Sequence, residues 1–88
     1  MDDPRGKIIQ MKTIQAEALE LFIRKNHDYG DAFETHGLVG VLVRMQDKIS
    51  RAMSISNNSI EVKVKDEKLR DTLIDLHNYA AMAIMCMK

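Results

Sequence analysis

The chain has one cysteine, one proline, no tryptophan and only two tyrosines and two phenylalanines in 88 residues. A single cysteine, Cys86, cannot form an intramolecular disulfide. With no apolar secretory segment behind Met1-Asp2-Asp3-Pro4, it points to a reducing, cytoplasmic setting. No hydrophobic run approaches the roughly 20 residues of a membrane span. Thirteen Lys and Arg balance thirteen Asp and Glu, so the formal net charge is zero. That argues against a protein that works by neutralising a nucleic-acid backbone, which needs a basic excess. The length allows one domain, residues 1–88. A core of that size supplies only a few kcal/mol, and with no disulfide to help, self-association is expected.

What is present is helical periodicity. From Gly6 to Lys25, Ile8, Met11, Ala18, Leu19 and Phe22 recur at three- and four-residue spacing, with Gln10, Glu17, Glu20 and Arg24 on the other side. The turn formers Asn26-His27-Asp28-Tyr29-Gly30 predict a connector. A second helix is predicted from Gly37 to about Ser54, with Leu38, Leu42, Met45, Ile49 and Ala52 or Met53 as its core stripe. Ile60 to Lys65 alternates apolar and charged residues, the period of a strand, and predicts an extended connector able to pair with its copy in another subunit. Asp66 is a plausible N-cap for a third helix running to the C-terminus. Its stripe is Leu69, Leu73, Leu76, Ala80, Ala83 and Met87. From Tyr79 to Met87 this helix is apolar all round, so another subunit is expected to cover Met82 to Met87.

Two charged stripes carry candidate chemistry. Glu67, Asp71, Asp75 and Asn78 share one face of the third helix. Such a face is either solvated or, where the helix enters a buried region, suited to Mg²⁺ bound by carboxylates and substrate phosphates. Arg44, Lys48 and Arg51, with Asp47 beside them, form a cationic row on the second helix. That row is either a surface strip with an Asp47–Arg51 pair or a grip for phosphate oxygens. In the first connector Lys25 can meet a phosphate, and Tyr29 or Phe33 can stack on a base or anchor the loop. His27, His36 and His77 share no zinc-ligand spacing. There is no Gly-rich phosphate loop and no nucleophile elbow. Cys86 reads as packing.

Three segments in this order, Lys25-x-x-Asp28-Tyr29-Gly30-x-Ala32, Gly37-x-x-Gly40-x-x-x-Arg44-x-x-Asp47-Lys48-x-x-Arg51 and Asp66-Glu67-x-x-x-Asp71-Thr72-Leu73-x-Asp75-Leu76-x-Asn78-Tyr79-Ala80, resemble the nucleotide modification associated domain family. This group of short, often virus-encoded proteins is itself similar to the MazG-like all-α NTP pyrophosphohydrolases. The resemblance covers roughly residues 20 to 85. It implies an all-α, three-helix subunit that assembles with one or more copies into a MazG-like bundle. It further implies Mg²⁺ held by helix-borne acids, and attack of water on a nucleoside triphosphate to give the monophosphate and pyrophosphate. MazG-like enzymes carry Glu-x-x-Glu on one helix and Glu-x-x-Asp on the next. Here Arg44-x-x-Asp47 stands in the first place and Glu67-x-x-x-Asp71, one residue longer, in the second.

The expectation is a Mg²⁺-dependent nucleotide pyrophosphohydrolase or a nucleotide-binding relative. Asp47, Glu67, Asp71 and Asp75 would be the metal ligands, with a carboxylate among Asp47, Glu67 and Asp71 accepting the proton of the attacking water. Lys25, Arg44, Lys48 and Arg51 would hold phosphates, while Tyr29 and Asn78 would touch base or sugar. The partners would be the nucleotide and further copies of the chain, a dimer or tetramer formed through the C-terminal helix. The rival expectation is a non-enzymatic helical interaction module whose Met-rich third helix serves assembly.

Overall fold

The computed structural model of the chain describes residues 4–57 and 62–87, leaving aside the side chains of residues 31–35, 62 and 63. Three helices account for nearly all of it: α1 (Pro4–Arg24), α2 (Asn26–Ser56) and α3 (Val62–Met85). Among the described residues there is no strand, and the all-α expectation holds. No helix among them is long and apolar enough to cross a membrane.

Pro4 opens α1, where its missing N–H would have had no intrahelical partner in any case. The helix ends at Lys25, whose backbone (φ −103°, ψ 17°) leaves the helical region for one residue. The hydrogen-bond ladder hardly breaks there. The Lys25 N–H donates to Leu21 O at 2.9 Å and the Tyr29 N–H to Lys25 O at 3.0 Å. The segment from Asn26 to Gly30 is therefore the first turn of α2 and not a connector. Asp28 lies in that turn, where a negative charge favours the helix dipole. Tyr29 is drawn into the core, and burial outweighs the turn propensity of its neighbours.

Inside α2, Gly37 adopts φ 58°, ψ −139°, which breaks the helix into arms over 26–36 and 38–56. The second arm is the helix that periodicity predicts from Gly37; the first is not. The expected extended connector is corrected too. Residues 58–61 lie outside the described residues, but α3 already begins at Val62, so Asp66 stands within the helix and is not its cap. With no strand to pair with, a helix satisfies these backbone groups internally. Lys65 helps to join the helices: its Nζ donates to Ser56 O at 3.2 Å, one of the last carbonyls of α2 that lack intrahelical partners.

Most tertiary packing lies between α2 and α3. Tyr29, Val41, Met82 and Ala83 form the core, with Phe22, Leu38, Met45, Tyr79 and Cys86 around it. The Phe22 and Tyr29 rings stack at 5.5 Å, and Tyr79 meets Tyr29 edge-on at 5.2 Å. Met82 and Ala83, expected to need another subunit, are thus covered by their own chain, whereas Ile84, Met85 and Met87 remain exposed.

The predicted stripes are rotated. On α2 the inward line is Val41, Met45, Lys48, Ala52 and Ile55, and Leu42, Ile49 and Met53 point outward. On α3, Leu73 is exposed while Thr72, Ile74 and Asn78 are buried, and Met87, expected to continue the stripe, lies exposed beyond the end of the helix at Met85. On α1, Ala18 is fully buried and Phe22 half-buried, but Ile8, Met11 and Leu19 face outward.

Candidate functional site

The end of α1, the second arm of α2 and the middle of α3 enclose a cleft of about 320 Å³. Lys48 and Arg51 are one turn apart on α2 and enter it from one side. Arg24 and Lys25 enter from the α1–α2 junction. Lys68, Asp71 and Asp75 come from α3 at helical spacing, and Glu17 closes the α1 side. Five cations and three carboxylates leave this cleft with a formal surplus of two positive charges, in a chain whose net charge is zero.

Asp75 is the junction between cleft and core. Tyr29 Oη donates to its Oδ1 at 2.5 Å, and Lys48 Nζ pairs with its Oδ2 at 3.2 Å. Behind Tyr29, Asn78 Nδ2 donates to Ala18 O at 3.0 Å and, more weakly, to Tyr29 Oη at 3.4 Å. His77 Nδ1 lies 3.1 Å from Asn78 Oδ1 and donates to it in the tautomer protonated there. Every buried polar side chain among the described residues has a partner. The chain His77–Asn78–Tyr29–Asp75–Lys48 thereby holds one carboxylate oriented at the cleft wall.

Burial above all, and then the hydrogen bond to Asp75, push the Tyr29 hydroxyl far above the ordinary tyrosine range. It is a fixed donor to Asp75. Burial likewise raises Tyr79, with the Asp75 charge adding to the effect. At the rim, Arg70 grips Glu17 through two hydrogen bonds of 2.6 and 2.7 Å, which lowers the Glu17 carboxyl. The pair is exposed and contributes little stability. It does tie α1 across α3 beside the cleft.

Of the residues singled out from sequence, Lys25, Lys48, Arg51, Asp71 and Asp75 meet in this cleft. Tyr29 and Asn78 do not present surface to a ligand: they are 2% and 3% exposed and stand behind Asp75. Arg44 and Asp47 line a different groove on α2, of about 550 Å³, with His36, Val39, Gly40 and Val43. Glu67 lines neither, and the Phe33 side chain lies outside the described residues. No three acids, histidines or cysteines among the described residues are close enough to hold a metal ion together. Asp47, Glu67, Asp71 and Asp75 are therefore not one centre within a single chain. Asp71 and Asp75, one turn apart in one cleft, do fit the one or two carboxylates that Mg²⁺ takes alongside phosphate oxygens.

Sequence reasoning passes over Glu17, Arg24, Lys68 and Thr72. Glu17 has the spacing of a solvated face, and only the crossing of α1 over α3 brings it to the cleft.

By fold and site this is a small all-α protein built around a mixed-charge cleft. The chain belongs to the family described as nucleotide modification associated domain 1, which matches it over residues 25–87. That span contains Lys25, Lys48, Arg51, Lys68, Asp71 and Asp75 but not Glu17 or Arg24. No curated protein and no solved structure gives a significant match.

Proposed function

We propose that the cleft binds the polyphosphate of a nucleoside or deoxynucleoside triphosphate together with Mg²⁺, in the manner of a MazG-like pyrophosphohydrolase or a nucleotide-binding relative of one. One observation carries this reading: in a chain with no net charge, five cations and three carboxylates converge on one cleft with a positive surplus. A polyanion that arrives with a divalent cation fits such a mixture better than a polyanion alone.

Lys25, Lys48 and Arg51 hold phosphate oxygens, the arginine bidentately. Arg24 and Lys68 widen the cationic wall. Asp71 and Asp75 face the phosphates as the acids that share Mg²⁺ with them, and the bound ion supplies charge neutralisation and a more acidic water. Lys48 occupies one oxygen of Asp75 and Tyr29 the other. Binding therefore requires Lys48 to exchange Asp75 for phosphate, while Tyr29 keeps the carboxylate oriented. Asp71 is the one acid among Asp47, Glu67 and Asp71 that lines this cleft, and it is the group placed to accept a proton from the attacking water. Hydrolysis between the α- and β-phosphates would yield the monophosphate and pyrophosphate.

The second reading is an assembly module without chemistry of its own. The large apolar side chains left in water, Ile84, Met85 and Met87 at the end of α3 among them, favour self-association in either case. The test is incubation of the protein with each common NTP and dNTP plus Mg²⁺, with assay for pyrophosphate, and thermal melting with each nucleotide in parallel. Pyrophosphate release or a Mg²⁺-dependent rise in Tm, lost in Arg51→Ala, is the expected result. No turnover and no Mg²⁺-dependent shift with any nucleotide would overturn the proposal.

A further inference from the structure

Two recesses adjoin along the second arm of α2. Lys48 and Arg51 line the cleft, whereas Arg44 and Asp47 line the groove of about 550 Å³ with His36, Val39, Gly40 and Val43. Round the helix, Asp47, Arg44 and Lys48 follow one another within about 100°, and Arg44 stands one turn, about 6 Å, before Lys48. Groove therefore passes into cleft at Arg44. The Tyr79 hydroxyl, raised mainly by its burial, feels Asp75 from the cleft and Arg44 from the groove, so the two recesses flank one ring.

Gly40, without a side chain, forms the floor of the groove. Val39 and Val43 stand on one side of it and Arg44 on the other, with His36 one turn before and Asp47 two turns beyond. A flat ring can approach the backbone there because no Cβ stands in its way. Val39 and Val43, 68% and 50% exposed, provide apolar contact. Arg44 and Asp47, three residues apart, are neighbours on the helix surface. Among the described residues no hydrogen bond or ion pair holds either of them. The cleft itself has nothing suited to a base: none of its described lining residues is aromatic, and Tyr29 and Asn78 are buried behind Asp75.

We infer that the groove receives the base of the nucleotide whose polyphosphate enters the cleft, and that this base is guanine. This rests on the nucleotide reading of the cleft. An arginine beside a carboxylate sets paired donors next to paired acceptors. Guanine presents the complement on adjoining edges. Its O6 and N7 acceptors match an arginine fork, and its N1–H and N2–H donors match a carboxylate. Adenine, cytosine, thymine and uracil present no two adjoining donor atoms. Asp47 thus reads the donors and Arg44 the acceptors, while Lys48 and Arg51 on the following turns meet the phosphates.

Calorimetric titration of the full chain in Mg²⁺ tests this, with non-hydrolysable triphosphates of the common bases in both sugar series. Inorganic tripolyphosphate serves as the probe of the cleft alone. The guanine nucleotide should bind more tightly than the others by about tenfold or more. The hypoxanthine analogue, which lacks the N2 amino group, and the 7-deazaguanine analogue, which lacks N7, should each bind several-fold more weakly than guanine. In Asp47→Asn the difference between guanine and hypoxanthine should vanish, and in Arg44→Gln the difference between guanine and 7-deazaguanine. Both positions are exposed, so both variants keep the fold, which circular dichroism can verify. If tripolyphosphate and every nucleotide alike fail to bind, the reading of the cleft falls and this inference with it. If they bind without a preference for guanine, or if that preference survives either substitution in full, this inference alone is overturned.

Discussion

Tyr29 serves the core and the cleft with one side chain. Its ring lies between Phe22 and Tyr79, and its hydroxyl reaches Asp75. Tyr29→Phe keeps the ring packing and deletes a buried hydrogen bond to a carboxylate, so it should cost about 1.5–3 kcal/mol. For a domain of this size that is a fall in Tm on the order of 6 °C or more, measurable by circular dichroism. The same variant should weaken Mg²⁺-dependent nucleotide binding, since Asp75 loses its orienting donor.

The pH dependence follows in sign. Both tyrosines are raised in the folded chain, so below about pH 10 both states keep the phenolic protons and nothing changes. Above it the unfolded chain releases protons that the folded chain retains. Stability should therefore fall with rising pH, by up to about 1.4 kcal/mol per pH unit for each tyrosine. Denaturant titrations between pH 9 and 11 should show this slope, and Tyr29→Phe should lose its share of it. The sequence does mark Tyr29 and Asn78 as special, being polar or aromatic beside a charged face. Whether such groups meet a ligand or each other is decided by burial, which depends on helices 46 residues and more apart along the chain.

Two glycines show what an element can and cannot announce. At Gly37 the backbone is in a region open to glycine, and a Cβ added there would meet nothing within 4 Å. Gly37→Ala should cost about 1–3 kcal/mol through backbone strain alone. Gly30 is helical, has no such positive φ, and is equally open around its Cβ. There Gly30→Ala should stabilise the protein by about 0.5–1 kcal/mol, because glycine weakens a helix interior. Thermal or urea unfolding of the pair should give opposite signs. From sequence both stand at the edges of one predicted connector. The second arm of α2 was legible because its apolar spacing is regular. The first arm was not, because Asn26, His27, Asp28 and Gly30 favour turns locally and only the burial of Tyr29 makes a helix of them. Val62 to Lys65 misled in the same way: alternation signals a strand only where a partner strand exists.

At the scale of the whole molecule, charge and apolarity are sorted onto different sides of the same helices. The Cα radius of gyration is 14.6 Å. A compact chain of 88 residues would have one of about 12 Å. Much of the difference comes from α1, whose residues up to Ala16 are exposed apart from the half-buried Ile14. The stripe that periodicity marks most cleanly on α2, Leu42, Ile49 and Met53, is left outside while a less regular line turns inward. Apolar surface left in water in this way favours association. Two influences on stability should then act separately. Association makes Tm rise with protein concentration, each tenfold step contributing about 1.4 kcal/mol per mole of dimer. A ligand in the cleft adds a further increment set by its own concentration relative to Kd. Melting curves over a grid of protein concentration and a non-hydrolysable dNTP with Mg²⁺ should show both increments, and they should add, because the cleft and the apolar face lie on different sides of α2. In the same grid Arg51→Ala should flatten the nucleotide axis only. A variant that flattened both would mean that the second copy completes the cleft.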